Sequence, residues 1–144
     1  MSHINLLVTA MVAKLNEAPP VCSEVGRVRL RPLSKESALA VVVRPMQSEV
    51  GEVSLMPSQP ASWITAVAVE VYARSGTATP PDAAVDGLMD LVFERLMADT
   101  TLGGAVRYLK PEKIEFDFDI DGEQTSCATL QFSAQHASLG LTLS

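Results

Sequence analysis

A chain of 144 residues has the length of one domain and can bury about 70% of its unfolded surface without a disulfide or a metal. Its 47% hydrophobic and 19% charged residues exclude a disordered chain, and 5% aromatics leave the core to Val, Leu, Ala and Met. A net charge of −6 argues against a general nucleic-acid binder, which needs a basic face to release phosphate counterions.

Ile4, Leu7, Val8, Met11, Val12 and Leu15 recur at helical spacing, so an amphipathic helix is predicted over 3–17. Ser2 is its N-cap, and Ala18-Pro19-Pro20 stops it. No basic residue precedes this stretch and no A-x-A site follows it, so a signal peptide is not expected and a cytoplasmic chain is. Val25 to Arg31 alternates, with Val28 and Leu30 on one side and Arg27, Arg29 and Arg31 on the other. That is a strand with a basic face. Ala38 to Arg44 is continuously apolar and β-branched until its arginine, as in a strand buried on both faces, and Pro45 is expected to end it. Short as it is, this run is the longest conspicuous apolar one, well below the ~18 residues of a membrane span.

Residues 45–61 hold three prolines, a glycine and three serines and are expected to form a mobile loop. Met46, Val50, Val53, Leu55 and Met56 would be its anchors for a partner. Trp63 to Arg74 reads as a long strand in the middle of a sheet. Trp63, Thr65, Val67, Val69 and Val71 share one face, and Ile64, Ala66, Ala68, Glu70 and Tyr72 share the other. A second helix is predicted over 80–98, with Thr79 as N-cap, proline at its first position and Gly103-Gly104 as a left-handed stop. Val85, Leu88, Met89, Val92 and Leu96 form its stripe. Finally, Ile114, Phe116, Phe118 and Ile120 alternate with acids, Asp121-Gly122 turns the chain, and Ala128, Leu130, Phe132 and Ala134 return. A three-residue turn pairs even positions with even ones and keeps both apolar faces together. The whole is predicted to be one α+β domain over 1–144, a mixed or antiparallel sheet with two helices packed on it and a C-terminal β-hairpin.

The search for chemistry finds no catalytic, cofactor-binding or metal site. His3 and His136 have no second ligand at zinc spacing. GxSxG, GxGxxG and P-loop patterns are missing. FDFDIDGEQ is strand-like rather than an EF-hand loop. Cys22 and Cys127 form no CxxC and read as small apolar residues in a reducing compartment. The candidate interface or lumen residues are therefore the acid ladder Glu115, Asp117, Asp119, Asp121 and Glu123, the basic face Arg27, Arg29 and Arg31, and the loop anchors Met46, Val50, Val53 and Leu55. The ladder is either a wall facing a passing anion or a solvated face that keeps an edge strand from aggregating. The basic and acidic strands are either patches that meet between copies or neighbours in one sheet.

In order, ALAVVVRP (38–45), VEVYAR (69–74), VDGLMDLVFERLMADTTLGGAV (85–106) and the acidic FDFDIDGE hairpin (116–123) resemble the tail terminator (minor tail, tail completion) proteins of long-tailed bacteriophages. The resemblance spans residues 3–136. It implies a structural protein of the virion tail, assembled in the host cytoplasm. Its hexameric ring would cap the head-proximal end of the tail tube, end tube polymerisation and join the tail to head completion (neck) proteins. Its partners would be copies of itself, the tube protein and the neck proteins, with DNA only transiently in the lumen, no membrane and no cofactor. The alternatives are another neck or tail component, or a small cytoplasmic binding module without a phage role.

Overall fold

The computed structural model describes residues 2–27, 39–52, 60–74, 80–120, 125–139 and 143. Helix α1 (His3–Asn16) is followed by β1 (Val25–Gly26), β2 (Leu39–Glu52), β3 (Pro60–Arg74), α2 (Pro81–Met97), β4 (Tyr108–Ile120) and β5 (Thr125–Leu139). The strands form one sheet in the order β1-β2-β3-β5-β4. Only β1 and β2 are parallel; every other pair is antiparallel. The fold is α+β, with both helices packed on a mixed sheet.

Ser2 caps α1 by accepting the Asn5 N–H at 3.2 Å, which satisfies one of the donors a helix start leaves open. Leu7, Val8, Met11 and Leu15 are buried. They meet Val85, Leu88, Val92 and Leu96 of α2 over the odd residues of β3 and the even residues of β5. Arg95 ties the helices together, its guanidinium donating to the carbonyls of Lys14, Glu17 and Pro19 at 3.3, 2.9 and 2.7 Å. Those carbonyls end α1 and the turn after it, where a fork of fixed donors serves better than an ammonium.

β3 is the central strand. Val67, Val69 and Val71 lie under the helices, while Ala68 and Tyr72 are buried on the opposite face with Ala40, Val42 and Cys127. There Arg44 donates to Glu70 at 2.9 Å and Tyr72 donates to the other Glu70 oxygen at 2.6 Å. The second apolar cluster explains why both parities of 39–43 and 67–72 are apolar.

Three expectations are corrected. Pro45 does not stop β2, which continues to Glu52, so residues 45–52 and 60–61 are strand and not loop. Val41 donates outward to the carbonyl of Glu24, just before β1. Pro45 shares that parity, so its missing N–H falls on a side where no β3 bond is lost. The register shift just after Pro45, and another between Val50 and Glu52, absorb extra residues as bulges. Of the predicted basic strand, Val25–Gly26 are strand, and residues 28–31 lie outside the described residues. Pro80, not Thr79, occupies the N-cap of α2, with no side-chain bond and a proline at the next position. At its other end the C-cap is Ala98 in the right-handed conformation, so the glycines are not its stop. Asp99 builds the turns that follow, accepting from Thr101 N–H, Thr101 Oγ1 and Gly103 N–H at 3.0, 2.7 and 2.8 Å. Those bonds hold its carboxyl below the usual range. Gly103 and Gly104 have φ of 71° and 93°, which costs glycine little.

The hairpin register follows the even-with-even expectation: Ile114 pairs with Leu130 and Phe116 with Ala128. The Asp121-Gly122 turn lies outside the described residues.

Candidate functional site: two sheet edges and a histidine pair

Among the described residues, strand order puts Arg27 and the acids of β4 at opposite edges. β4 carries Glu115 and Asp117 at one end of the sheet, and β1 with Arg27 lies at the other. Arg27 is therefore not a sheet neighbour of Glu115 or Asp117 within one chain. Arg27 is exposed and donates to Asn5 Oδ1 at 2.6 Å and Thr9 Oγ1 at 3.5 Å. Arg29, Arg31, Asp121, Glu123, Val53, Leu55 and Met56 lie outside the described residues. Asp119 is within β4, described by its backbone.

On β5, Leu130, Phe132 and Ala134 point under the helices, and Thr129, Gln131, Ser133 and Gln135 point to the helix-free face. Register carries these faces to β4. Ile114 and Phe116 continue the helix side, and Glu115, paired with Thr129, and Asp117, paired with Cys127, continue the free side. Both faces are open at this edge. Ile114, Phe116 and Phe118 are 42%, 51% and 43% exposed, with Phe116 and Phe118 stacked at 6.0 Å. The ladder is also less uniform than its sequence, since Lys113 pairs with Glu115 at 2.7 Å. Such an exposed pair contributes little to stability.

The other edge resembles it. Met46 and Val50 of β2 are 44% and 47% exposed, so two of the loop anchors are strand residues on an edge that is open among the described residues. Arg44 projects to the free face opposite Ala68.

Sequence spacing missed one constellation. His3, at the start of α1, and His136, near the end of β5, meet edge to face with ring centroids 4.3 Å apart, and Trp63 lies 5.5 Å from His3. Both histidines are buried. Thr65 Oγ1 bonds His136 Nε2 and Ser48 Oγ, while Trp63 Nε1 donates to Ser138 Oγ at 2.9 Å. Removal from water disfavours imidazolium, so both pKa values fall, that of His136 to about 4 with His3 adding repulsion. Residues 133 positions apart have no common motif; the signal was that β5 returns beside β3 and α1 starts over that end. Burial likewise raises the thiol pKa of Cys22 and of Cys127, in keeping with small apolar residues. On the free face, Ser62, Ile64, Arg107 and Gln135 line a shallow depression of ≈ 290 Å³.

Among the described residues no group of three or more His, Cys, Asp or Glu could hold a metal ion. No helix there is long and apolar enough to cross a membrane.

No family model matches the chain, and no curated protein matches it. Among solved structures, it is similar to a chain of the virion of the native gene transfer agent (GTA) particle. The two share 12% identity with a TM-score of 0.55, over 92% of this chain and 95% of that one. The likeness is one of fold. It takes in α1, α2 and the sheet together, since so little of either chain is left over.

Proposed function

We propose that the chain is a structural subunit of a phage-type virion tail. In this proposal its copies form a ring that caps the head-proximal end of the tail tube, ends tube polymerisation and joins the tail to the neck. The observation that carries it is the fold shared with a GTA virion chain over nearly the full length of both. The two sheet edges, uncovered among the described residues, support it, because a cyclic ring joins two different patches of one subunit. Its work is done by interfaces, without cofactor or membrane. The helix-free face, polar along β5 and acidic at Glu115 and Asp117, is assigned to the lumen, where negative charge would let duplex DNA slide without binding.

Electron microscopy of particles made without this chain tests the proposal. Overlong tubes unattached to heads are expected. Tubes of normal length that fail to join heads would instead indicate a neck component, and absence of tubes would indicate the tube subunit. For the lumen assignment, Glu115→Lys alone should leave folding and assembly intact and slow DNA delivery at low salt, with recovery as screening grows. Normal delivery at low salt would leave Glu115 on a solvated face.

A further inference from the structure

We infer that copies of this chain join head to tail through their sheets, the β4 edge of one copy pairing with the outer edge of β2 in the next. The inference deepens the ring proposal and rests on it for the number of copies. One end of the sheet is the long strand β4, bonded on one side, and the other is the two-residue β1, beyond which most of β2 has no strand beside it among the described residues. β4 is the terminal strand over 13 residues, and β1 covers β2 only at Val41 and Val42 among the described residues. An open edge with exposed apolar side chains is a template for another strand.

Direction, charge and apolar surface all agree with this pairing. β2 runs opposite to β3, β3 to β5 and β5 to β4, so β4 runs opposite to β2. A neighbour that continues the sheet in the same orientation therefore presents an antiparallel partner. On the free face, β4 carries Glu115 and Asp117 and β2 carries Arg44, half exposed beside its Glu70 partner. Setting Arg44 opposite Asp117 aligns Phe116 with Pro45 and brings Ile114 to Met46 and Gln47. By the same count Phe118 faces the buried Val43 and Val50 faces Pro111, so the apolar contact between the two edges is carried by Ile114 and Phe116 against Pro45 and Met46. Pro45, facing outward, contributes only its carbonyl. The C-terminal end of β4 arrives at β1, where Arg27 is exposed.

Two surface variants of the full chain test this by sedimentation. Met46→Glu with Val50→Glu alters the β2 edge, and Phe116→Lys with Asp117→Lys alters the β4 edge. All four side chains are exposed, and circular dichroism checks that folding is kept. Wild type should associate beyond a dimer as its concentration rises, and each variant alone should stay monomeric. Their mixture should form a 1:1 dimer and nothing larger, because one intact β4 edge meets one intact β2 edge. Dimerisation of the β2 variant alone would mean β4 pairs with β4. That result overturns the inference, as would a monomeric mixture, a variant that associates within twofold of wild type, or a wild type that never associates. Failure of the tail proposal is read separately, from tube length in particles lacking the chain.

Discussion

β3 and β4 are both long alternating strands, yet they meet opposite environments. Val67, Val69 and Val71 have no exposure, whereas Ile114 and Phe116 are about half exposed although they carry the larger apolar surface. The difference is one of neighbours. β3 has β2 and β5 beside it and two helices above, while β4 has β5 on one side and lies beyond the helices' main cover. Period-two alternation tells which residues share a face. It does not tell whether this chain covers that face.

Mutation should separate the two regions sharply. Phe132→Ala, in the β5 core beneath Phe93, is expected to cost about 3–5 kcal/mol, and Leu88→Ala about 2–5 kcal/mol. Phe116→Ala, on the open edge, should stay within about 0.5 kcal/mol in the isolated chain. Urea midpoints check all three, and a large loss at Phe116 would break the comparison.

Acid should act on the covered region. The folded pKa of His136 lies below its unfolded value, so its contribution is complete above about pH 6.5 and is lost as pH falls through about 4. The loss amounts to roughly 3 kcal/mol for the shift of His136, and His3 adds to it in the same direction. Stability measured from pH 7 to 4 should fall accordingly, and His136→Gln should flatten the dependence while lowering the starting value.

The tie between helices is smaller. Arg95→Lys replaces a fork that reaches three carbonyls by one ammonium, at an expected cost of about 1 kcal/mol in the thermal or urea midpoint. Smallest of all, Glu115→Lys should change stability by less than about 0.5 kcal/mol, since it breaks only the exposed pair with Lys113.

Much of the fold was legible because its signals are local or periodic. Ser2, the stripe from Leu7 to Leu15, the β3 parities and the even-with-even hairpin register all follow from spacing. The misreadings have physical causes. Pro45 breaks a strand only where its N–H is needed, and that depends on which side the neighbour lies. Residues 45–52 have loop-like composition but pair with Ser62 to Val67, and no local pattern contains that pairing. At the candidate site, Glu115, Asp117, Met46 and Val50 were recognisable as surface chemistry. Their placement on two opposite sheet edges required the strand order. The meeting of His3 with His136 required the packing of α1 on β3 and β5.

Amide hydrogen exchange on free and assembled chains tests the central claim most directly, that β3 finds all its neighbours within the chain whereas β4 takes one from another copy. Protection of β3 should be the same in both states. In β4, outward amides over 114–118 should exchange rapidly in the free chain and become protected on assembly, together with those of 43–50 in β2. Equal exchange of β4 in the two states would contradict it.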